Sequence, residues 1–383
     1  MTEPPLIVQA DGAVLLETQD PGYERARERL AKFAELEKSP EYVHFYRITP
    51  ISIWNAAALG ESADEVIPWI EANARFPVAK EVTDRIAEWF RRYGLMRLQK
   101  ASNDRLQLVC DEPEVLAELV ETKTLAKLVE CDEQGRAFLP TGSRGDVKQA
   151  LVRLGYPVDD RAGYQTGAQM SFTLARSESF QLRDYQAKAA EAFHMGGTDV
   201  GGCGVVVLPC GAGKTVVGIA AMDLLQTNTL VLTTNTIAVR QWVREILEKT
   251  TLTEEQVGEY TGEHKNIRPV TVATYQILTH RRGKLDGFTH LDLFDRGGYG
   301  LIIYDEVHLL PAPVFRATAG IQARRRLGLT ATLVREDGRQ DEVFSLIGPK
   351  RYELPWKHLE GMGFLAVASC YEVRVPLGEE RAQ

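Results

Sequence analysis

The sequence predicts an α/β protein whose second half is built around a parallel β-sheet, preceded by a smaller α+β region. From about residue 180, short β-branched runs alternate with stretches of helical periodicity, such as 215–226 and 239–249. Continuous apolar strands separated by helices are typical of a parallel sheet that helices cover on both faces. The predicted strands lie in GVVVLP (204–209), TLVLTT (229–234), VTVATY (270–275), LIIYDE (301–306) and LGLTAT (327–332).

The first part of the chain has a different organisation. LIVQA and AVLLE flank Asp11-Gly12 and predict a short β-hairpin, and helices are predicted at 22–38, 63–74 and 80–93. A helix followed by the alternating runs LMRLQK and RLQLVC is typical of a winged-helix domain, a type that binds DNA or proteins. We therefore expect a winged-helix-like domain over 1–130, a small α/β segment and linker over 131–170, and the parallel-sheet domain over 171–383.

Composition and cysteine usage exclude several classes of protein. Hydrophobic residues make up 44% of the chain and charged residues 26%, as in ordinary globular proteins. No apolar run approaches the roughly 18–20 residues that span a bilayer, and MTEPPLIVQADG is not a signal peptide. We expect a cytoplasmic protein, or a nuclear one if the cell has a nucleus, with no membrane partner. The five cysteines are scattered, which predicts reduced, mostly buried thiols rather than disulfides or a metal site.

The charge distribution indicates which part of the chain could contact a nucleic acid. The net charge is −8, and most of the acidic excess lies in residues 1–170. An acidic region is poorly suited to non-specific contact with DNA phosphates. We expect any DNA to bind a local basic face of the second part, and we expect residues 1–130 to favour a protein partner.

A glycine-rich loop follows the first strand of the predicted sheet. PCGAGKT (209–215) joins the apolar run 204–208 to a helix. Phosphates need backbone N–H groups at a helix N-terminus with no side chains in the way, which Gly211 and Gly213 permit. Lys214 would contact the β- and γ-phosphates and Thr215 would bind Mg²⁺. Leu208 replaces the first glycine of the GxxxxGK[ST] pattern, so the shorter GxGK[ST] core predicts ATP and Mg²⁺ as ligands.

Two acidic residues end another predicted strand, LIIYDE (301–306). Asp305 and Glu306 would lie at the carboxyl edge of the sheet, where open α/β folds bind ligands. Asp305 would hold Mg²⁺ and Glu306 would orient or deprotonate the attacking water. Together with the phosphate loop, the pair predicts nucleotide hydrolysis.

With these two motifs the chain resembles superfamily 2 helicases. DEVH (305–308) is a variant of their DExH box, and LRDYQ (182–186) resembles the segment in which a glutamine reads the adenine edge. TTNTIAVRQW (233–242) and VATY (272–275) resemble strand ends that contact a DNA backbone. LTAT (329–332) resembles the motif that couples the ATP state to DNA. Their order and spacing make the resemblance specific.

The resemblance is closest to the xeroderma pigmentosum group B (XPB) helicases. LPCGAGKT, DEVHLLPA, RLGLTATLVREDG and LIGPKRYE carry it, over about residues 180–375. Arg335-Glu336-Asp337 matches the RED motif of that family, which is implicated in DNA opening. The resemblance extends more weakly to residues 1–130, and it implies that the family's small damage-recognition domain lies near 131–170.

The resemblance implies an ATP-driven 3′-to-5′ DNA helicase or duplex translocase of nucleotide excision repair, with a first RecA-like lobe over 171–383. Its implied partners are DNA and a nuclease or repair factor that docks on the N-terminal domain. The implied ATP-binding residues are Arg183, Gln186, Gly211, Ala212, Gly213, Lys214 and Thr215, with Thr215 and Asp305 as metal ligands and Lys214, Asp305 and Glu306 as catalytic residues. The residues implied in DNA binding or coupling are Thr234, Arg240, Thr274, His308, Thr330, Thr332, Arg335, Glu336 and Asp337.

The sequence ends soon after these motifs. A helicase motor has two RecA-like lobes, and the second supplies arginines that stabilise the transferring phosphate. The residues after Thr332 are too few for a further lobe of about 150 residues. We therefore expect residues 1–383 to bind nucleotide weakly, to hydrolyse it very slowly and not to unwind DNA alone.

Two alternative functions remain open on the sequence. The chain could be a non-catalytic module whose N-terminal domains dock a partner and whose nucleotide lobe is a folded platform. It could also be another superfamily 2 motor, such as a restriction translocase. The run LTATLVREDG and the lack of a recognisable nuclease motif argue against the latter.

Overall fold

The computed structural model describes residues 4–38, 40, 42–102, 105–160, 167–175, 180–198, 201–278, 292–309, 323–332 and 340–367. The strands among these residues are Leu6–Val8 (β1), Ala13–Glu17 (β2), Glu35–Lys38 (β3), Val43–Arg47 (β4), Met96–Lys100 (β5), Arg105–Cys110 (β6), Glu130–Cys131 (β7), Ala137–Pro140 (β8), Val158–Asp160 (β9), Cys203–Val207 (β10), Thr229–Thr233 (β11), Val257–Tyr260 (β12), Val270–Thr274 (β13), Leu301–Asp305 (β14), Arg325–Thr330 (β15) and Lys350–Glu353 (β16). The α-helices are Tyr23–Leu30 (α1), Pro50–Ala58 (α2), Ala63–Asn73 (α3), Lys80–Arg92 (α4), Pro113–Val120 (α5), Arg144–Arg153 (α6), Asp184–His194 (α7), Lys214–Leu225 (α8), Thr236–Lys249 (α9), Tyr275–Leu278 (α10), Asp292–Gly297 (α11), Gln340–Leu346 (α12) and Trp356–Gly361 (α13).

The first sheet is antiparallel and has the order β1-β2-β4-β3. Alternating residues of β2, such as Val14 and Leu16, pack on helices α1 to α4 in one buried cluster. The predicted hairpin around Asp11-Gly12 is confirmed by the pairing of β1 with β2. The helix predicted over 22–38 is wrong in its second half. It ends at Leu30 because residues 35–38 pair with β4 instead.

The second sheet has the order β7-β8-β6-β5-β9. The hairpin β5–β6 follows helix α4, as the sequence predicted, but β8 pairs with β6 and β9 pairs with β5. Leu98, Leu108 and Leu139 from three of these strands share a core with Leu151 of α6. The domain boundary that we predicted at residue 130 therefore falls inside a sheet, because later strands complete the hydrogen bonding of the hairpin.

The largest sheet contains the strands predicted from the apolar runs. In the described residues its order is β12-β13-β11-β14-β15-β10-β16, and each neighbouring pair is parallel. Helices α7, α8 and α9 cover one face through residues such as Phe193, Val217 and Trp242. Helices α10, α11 and α12 cover the other face through Tyr275 and Leu293, among others. The predicted α/β fold with a parallel sheet is confirmed.

The parallel arrangement brings the functional motifs to one edge. The register pairs Val207 with Thr330 and Thr233 with Thr274, and it places Asp305 beside Leu329. The loops that follow β10, β11, β13, β14 and β15 therefore leave the sheet at the same end. This carboxyl edge is where open α/β sheets bind their ligands.

Gly218 in α8 packs directly against Trp242. A Cβ atom at position 218 would lie 2.5 Å from Cη2 of the indole, which is 1% exposed. We predict that Gly218→Ala lowers the free energy of unfolding by about 1–3 kcal/mol, because the buried ring must shift. The intrinsic preference of helices for alanine, roughly 0.5–1 kcal/mol, acts in the opposite direction.

Urea unfolding would measure the effect of Gly218→Ala. Gly361→Ala is the matched control, because an added Cβ at this helical position meets nothing within 4 Å. The control should be neutral or stabilising. An unchanged or raised unfolding free energy for Gly218→Ala would contradict the close packing of the two helices.

The N-terminal region packs against the edge of the large sheet. The Asn55 side-chain oxygen accepts a hydrogen bond from the backbone N–H of Lys350, at 2.7 Å. Arg351 donates to the carbonyl oxygen of Ala58, and the rings of Trp54 and Phe344 lie 5.9 Å apart. Because Asn55 satisfies an outward-facing N–H group of β16, helix α2 protects this edge strand.

The cysteines are more exposed than the sequence predicted. Cys110, Cys131, Cys203 and Cys210 have free thiols, as predicted, but two are exposed and two half-buried, so the prediction of mostly buried thiols is wrong for them. Cys110 ends β6, Cys131 ends β7, Cys203 begins β10 and Cys210 lies in the loop after β10, whereas Cys370 lies outside the described residues. In the part of the chain that the structure describes, each helix is too short or too polar to cross a membrane.

Candidate functional site

The phosphate loop lies between β10 and α8. Gly211 and Gly213 have φ angles of 80° and 78°, a region that residues with a Cβ rarely adopt. A Cβ on Gly213 would also lie 2.5 Å from the amide nitrogen of Gln186. The loop therefore requires glycine, and it places Lys214 and Thr215 in the first turn of α8, where backbone N–H groups favour a bound anion.

Lys214 faces the acidic pair across the sheet edge. Its Nζ lies 3.1 Å from Oε1 of Glu306, and the side chains are 10% and 28% exposed. Glu306 has a φ angle of 50°, which is uncommon for a residue with a side chain. Its other oxygen, Oε2, is buried and accepts no hydrogen bond from the described residues, and its ion-pair neighbour is Nδ1 of His308 at 3.5 Å. The strained position and the open acceptor point to a functional carboxylate rather than a structural one.

Asp305 is held by an indole. Nε1 of Trp242 donates a hydrogen bond to Oδ2 of Asp305 at 2.9 Å, and the Tyr275 hydroxyl donates to the backbone oxygen of Asp305 at 2.8 Å. Burial raises the pKa of the Asp305 carboxyl and the neighbouring Glu306 charge adds to this, whereas the indole N–H and Lys214 lower it. A cation at this carboxylate would favour its ionised form.

The donor set fits Mg²⁺ bound together with a phosphate. No cluster of three or more His, Cys, Asp and Glu side chains that could hold a metal occurs among the described residues. One carboxylate from Asp305 and one hydroxyl from Thr215 would leave the remaining positions to phosphate oxygens and water. Mg²⁺ is held in this way in many nucleotide sites.

Gln186 and Ala212 connect the segment before α7 to the loop. Oε1 of Gln186 accepts from the backbone N–H of Arg183 at 3.1 Å, and its Nε2 donates to the Ala212 carbonyl at 3.0 Å. The Tyr185 hydroxyl donates to the same carbonyl at 2.8 Å. Gln186 is only 4% exposed. Its buried amide holds the carbonyl of Ala212 in the loop. Its role in reading the adenine edge stays a prediction.

Three of the residues predicted to act in DNA binding or coupling, His308, Thr330 and Thr332, lie close to one another beside Glu306. Nδ1 of His308 lies 2.8 Å from the Thr330 hydroxyl and 3.5 Å from Oε2 of Glu306. The Thr330 hydroxyl donates to the carbonyl oxygen of Thr332 at 2.6 Å. A continuous set of contacts therefore runs from Lys214 through Glu306 to the end of β15.

The residues predicted to contact DNA lie at the carboxyl ends of the neighbouring strands β11 and β13 and on helix α9. Thr234 follows β11, and its carbonyl accepts from Nε2 of Gln276 at 2.8 Å. Arg240 is exposed on α9 and pairs with Glu263 at 3.2 Å. Thr274 ends β13 and is 7% exposed. These three residues share the carboxyl edge with the phosphate loop, and Arg335, Glu336 and Asp337 lie outside the described residues.

The sequence alone did not single out Trp242 as a site residue, although it lies within a motif that we compared with DNA-contacting segments. It also missed Tyr185 and Phe364. Phe364 has no motif around it, and its place beside Arg183 depends on the turn that follows α13. A buried tryptophan inside a polar motif was the signal available for Trp242, because such an indole N–H needs an acceptor.

Comparison with known families gives two matches. The family described as "Type III restriction enzyme, res subunit" matches residues 179–335. The family described as "Helicase conserved C-terminal domain" matches residues 6–133. The first match covers the phosphate loop and the acidic pair, and the second covers the N-terminal region.

Individual relatives match almost the whole chain. A "DNA 3'-5' helicase XPB" of Kineococcus radiotolerans is 50% identical over 98% of this chain and 66% of its own length. The protein of the same name from Mycobacterium tuberculosis is 50% identical over 98% of this chain and 67% of its length. A "General transcription and DNA repair factor IIH helicase/translocase subunit XPB" of Antonospora locustae is 29% identical over 97% of this chain and 56% of its length.

Proposed function

The chain belongs to the XPB family of DNA helicases, and we propose that it carries the ATP-binding site of an ATP-driven 3′-to-5′ DNA helicase or duplex translocase that serves DNA repair. The two relatives with 50% identity support this assignment. The chain spans about two thirds of the length of these relatives. The activity, substrates and partners of the whole protein are therefore part of the proposal.

The observation that carries the proposal is the meeting of three features at one sheet edge. The glycine-dependent loop offers N–H groups to phosphate, Lys214 lies 3.1 Å from Glu306, and Asp305 is oriented by a buried indole. A platform that only docked a partner would not need a strained carboxylate with an open acceptor. The arrangement favours the catalytic function over the non-catalytic alternative.

The phosphate-binding residues have separate tasks in the proposed reaction. Backbone N–H groups of the loop and the first turn of α8 would bind phosphate oxygens. Thr215 and Asp305 would hold Mg²⁺, which supplies positive charge that offsets the charge developing on the phosphates. The indole of Trp242 leaves Oδ1 of Asp305 as the oxygen that is free of this hydrogen bond.

Glu306 is the proposed base. Lys214 Nζ lies 3.1 Å from Oε1 of Glu306, so the lysine offsets the charge of the proposed base. Phosphate oxygens would compete for Lys214 and release Glu306 to accept a proton from the attacking water. His308 and Thr330 connect this carboxylate to the end of β15, which gives a route for coupling hydrolysis to DNA.

DNA is proposed to lie across the loops after β11 and β13. Thr234, Arg240 and Thr274 share this part of the edge, and Arg240 is free to exchange an exposed ion pair with Glu263 for a phosphate contact. The acidic N-terminal region is proposed to bind a protein partner, such as a nuclease or repair factor. Neutralising the acidic residues of this region should weaken binding of that partner and leave the affinity for DNA unchanged.

The test is ATP hydrolysis with and without duplex DNA. It should be measured for residues 1–383 and for a longer protein that also includes the region present in the relatives beyond the matched part. We expect slow hydrolysis by residues 1–383 and DNA-stimulated hydrolysis by the longer protein. Absence of hydrolysis in both would support the non-catalytic alternative, and strong DNA-stimulated turnover by residues 1–383 would contradict the expected weak activity.

Substitution of Trp242 should weaken the binding of Mg²⁺ at the nucleotide site and leave the metal-independent binding of the nucleotide unchanged. Trp242→Phe removes the N–H that orients Asp305, and loss of such an outer contact typically weakens metal binding about 10–100-fold. We predict that the Mg²⁺ concentration needed for tight ADP binding rises in Trp242→Phe. Fluorescent ADP titrated at several Mg²⁺ concentrations would measure the change.

The ADP affinity of the same variant in EDTA is the internal control. We expect it to remain close to that of the wild type, because the loop and Lys214 are unchanged. An equal loss of affinity with and without Mg²⁺ would show that Trp242 only maintains packing.

A further inference from the structure

The segment after α13 folds back onto the phosphate loop. The backbone N–H groups of Phe364 and Leu365 both donate to the carbonyl of Leu359, at 2.9 and 3.3 Å. Leu359 is fully buried in the core that supports α7 and α8. The segment is therefore anchored, and the position of the Phe364 ring is defined by this turn.

Phe364 lies between the segment before α7 and the loop. The guanidinium carbon of Arg183 is 4.7 Å from the centre of the Phe364 ring, and the Tyr185 ring centre is 5.5 Å from it. Leu365 lies 3.3 Å from the place of a Cβ on Gly211. Since the Tyr185 hydroxyl also binds the Ala212 carbonyl, Phe364 and Arg183 are linked to the phosphate loop through Tyr185.

The two side chains present stacking surfaces beside this loop. Phe364 is 38% exposed and Arg183 is exposed. A planar heteroaromatic base stacks on an aromatic ring and on a guanidinium plane. A nucleotide whose phosphates bind the loop gains affinity when its base stacks on such a surface.

Phe180, three residues before Arg183, packs away from the loop. Phe180 packs against Nζ of Lys249, at 5.6 Å from the ring centre. Lys249 is the last residue of α9, whose first turn follows the carboxyl end of β11, so Phe180 lies towards the opposite end of the sheet. Gln186 cannot provide a stacking surface, because it is only 4% exposed.

We propose that Phe364, together with Arg183, forms the stacking site for the purine base of the bound nucleotide. Phe364 therefore supplies base affinity from a part of the chain that none of the nucleotide motifs includes. The inference rests on the proposed function, because it requires that the loop binds nucleotide phosphates. It assigns recognition of the base to stacking, and recognition of the phosphates to the loop.

The test compares a ligand that has a base with one that lacks it. Calorimetry would measure the affinities of ATP and of inorganic tripolyphosphate, both with Mg²⁺, for wild type, Phe364→Leu and Phe364→Trp. Stacking of one base contributes enough that its loss lowers affinity by about tenfold or more. We expect Phe364→Leu to lose this much affinity for ATP and none for tripolyphosphate, and Phe364→Trp to restore ATP binding.

Other outcomes identify which claim fails. If Phe364→Leu lowered the affinities for ATP and tripolyphosphate equally, the residue would only support the loop. If it lowered neither affinity, the inference would also be overturned. If the wild-type protein bound ATP and tripolyphosphate with equal affinity, the proposed base site would be overturned and the proposed phosphate site would stand. Wild-type protein that binds neither ligand would overturn the proposed function, and the inference with it. Phe76→Leu, an exposed phenylalanine in the N-terminal region, is the control and should leave both affinities unchanged.

Discussion

Glu306→Gln is expected to lower the rate of ATP hydrolysis by orders of magnitude while leaving ATP binding intact. The substitution keeps the size of the side chain and its hydrogen-bonding oxygen, but it removes the group that accepts a proton from water. General bases contribute about 10²–10⁴-fold to rate, so hydrolysis should fall by that factor. Single-turnover hydrolysis with protein in excess over ATP would measure a slow rate reliably.

A matched control for Glu306 lies at the same sheet edge. Glu353 ends β16 and pairs with Lys350 at 2.6 Å, outside the phosphate site. Glu353→Gln should hydrolyse ATP at the wild-type rate. If Glu306→Gln did the same, or if it lost ATP binding as well, Glu306 would not be the base.

Lys214→Ala is expected to remove most of the affinity for MgATP. Hydrogen bonds to charged groups contribute about 1.5–3 kcal/mol, which corresponds to roughly 10–100-fold in dissociation constant. The loss has a second cause, because Glu306 would then lie beside Asp305 without the neighbouring positive charge. Two carboxylates without that cation repel a triphosphate.

Fluorescent ATP analogues would measure the affinity of the Lys214 variant. Lys249→Ala is the control, because this lysine ends α9 away from the phosphate loop and pairs with Glu245. It should bind ATP as the wild type does. Retention of wild-type affinity in Lys214→Ala would mean that the loop does not bind the phosphates in the proposed way.

Strand positions could be predicted because burial on both faces leaves a strong signal. The run 301–306 predicted β14 at Leu301–Asp305 to within one residue, and 229–234 predicted β11 equally well. The two carboxylates at the end of β14 followed from this placement. Local patterns sufficed because each motif residue lies at the end of a strand whose direction the parallel sheet determines.

Other features depend on partners that are distant in the chain. The helix predicted to 38 ends at Leu30 because β3 pairs with β4, and the tetrapeptide 350–353 is a strand because it pairs with β10. The hydrogen bond from Trp242 to Asp305 joins residues on different elements. Phe364 meets Arg183 only because a turn after α13 returns the chain to the loop. No local periodicity contains such information.

The most direct test of the proposed site is a crystal structure of residues 1–383 with ADP and Mg²⁺. We predict that the phosphates bind the N–H groups of the loop at Gly211–Thr215, and that the metal binds between the Thr215 hydroxyl and the Asp305 carboxylate. Lys214 should then contact phosphate oxygen rather than Glu306. Nucleotide bound away from this loop, or phosphates in the loop with Lys214 still paired to Glu306, would contradict the account.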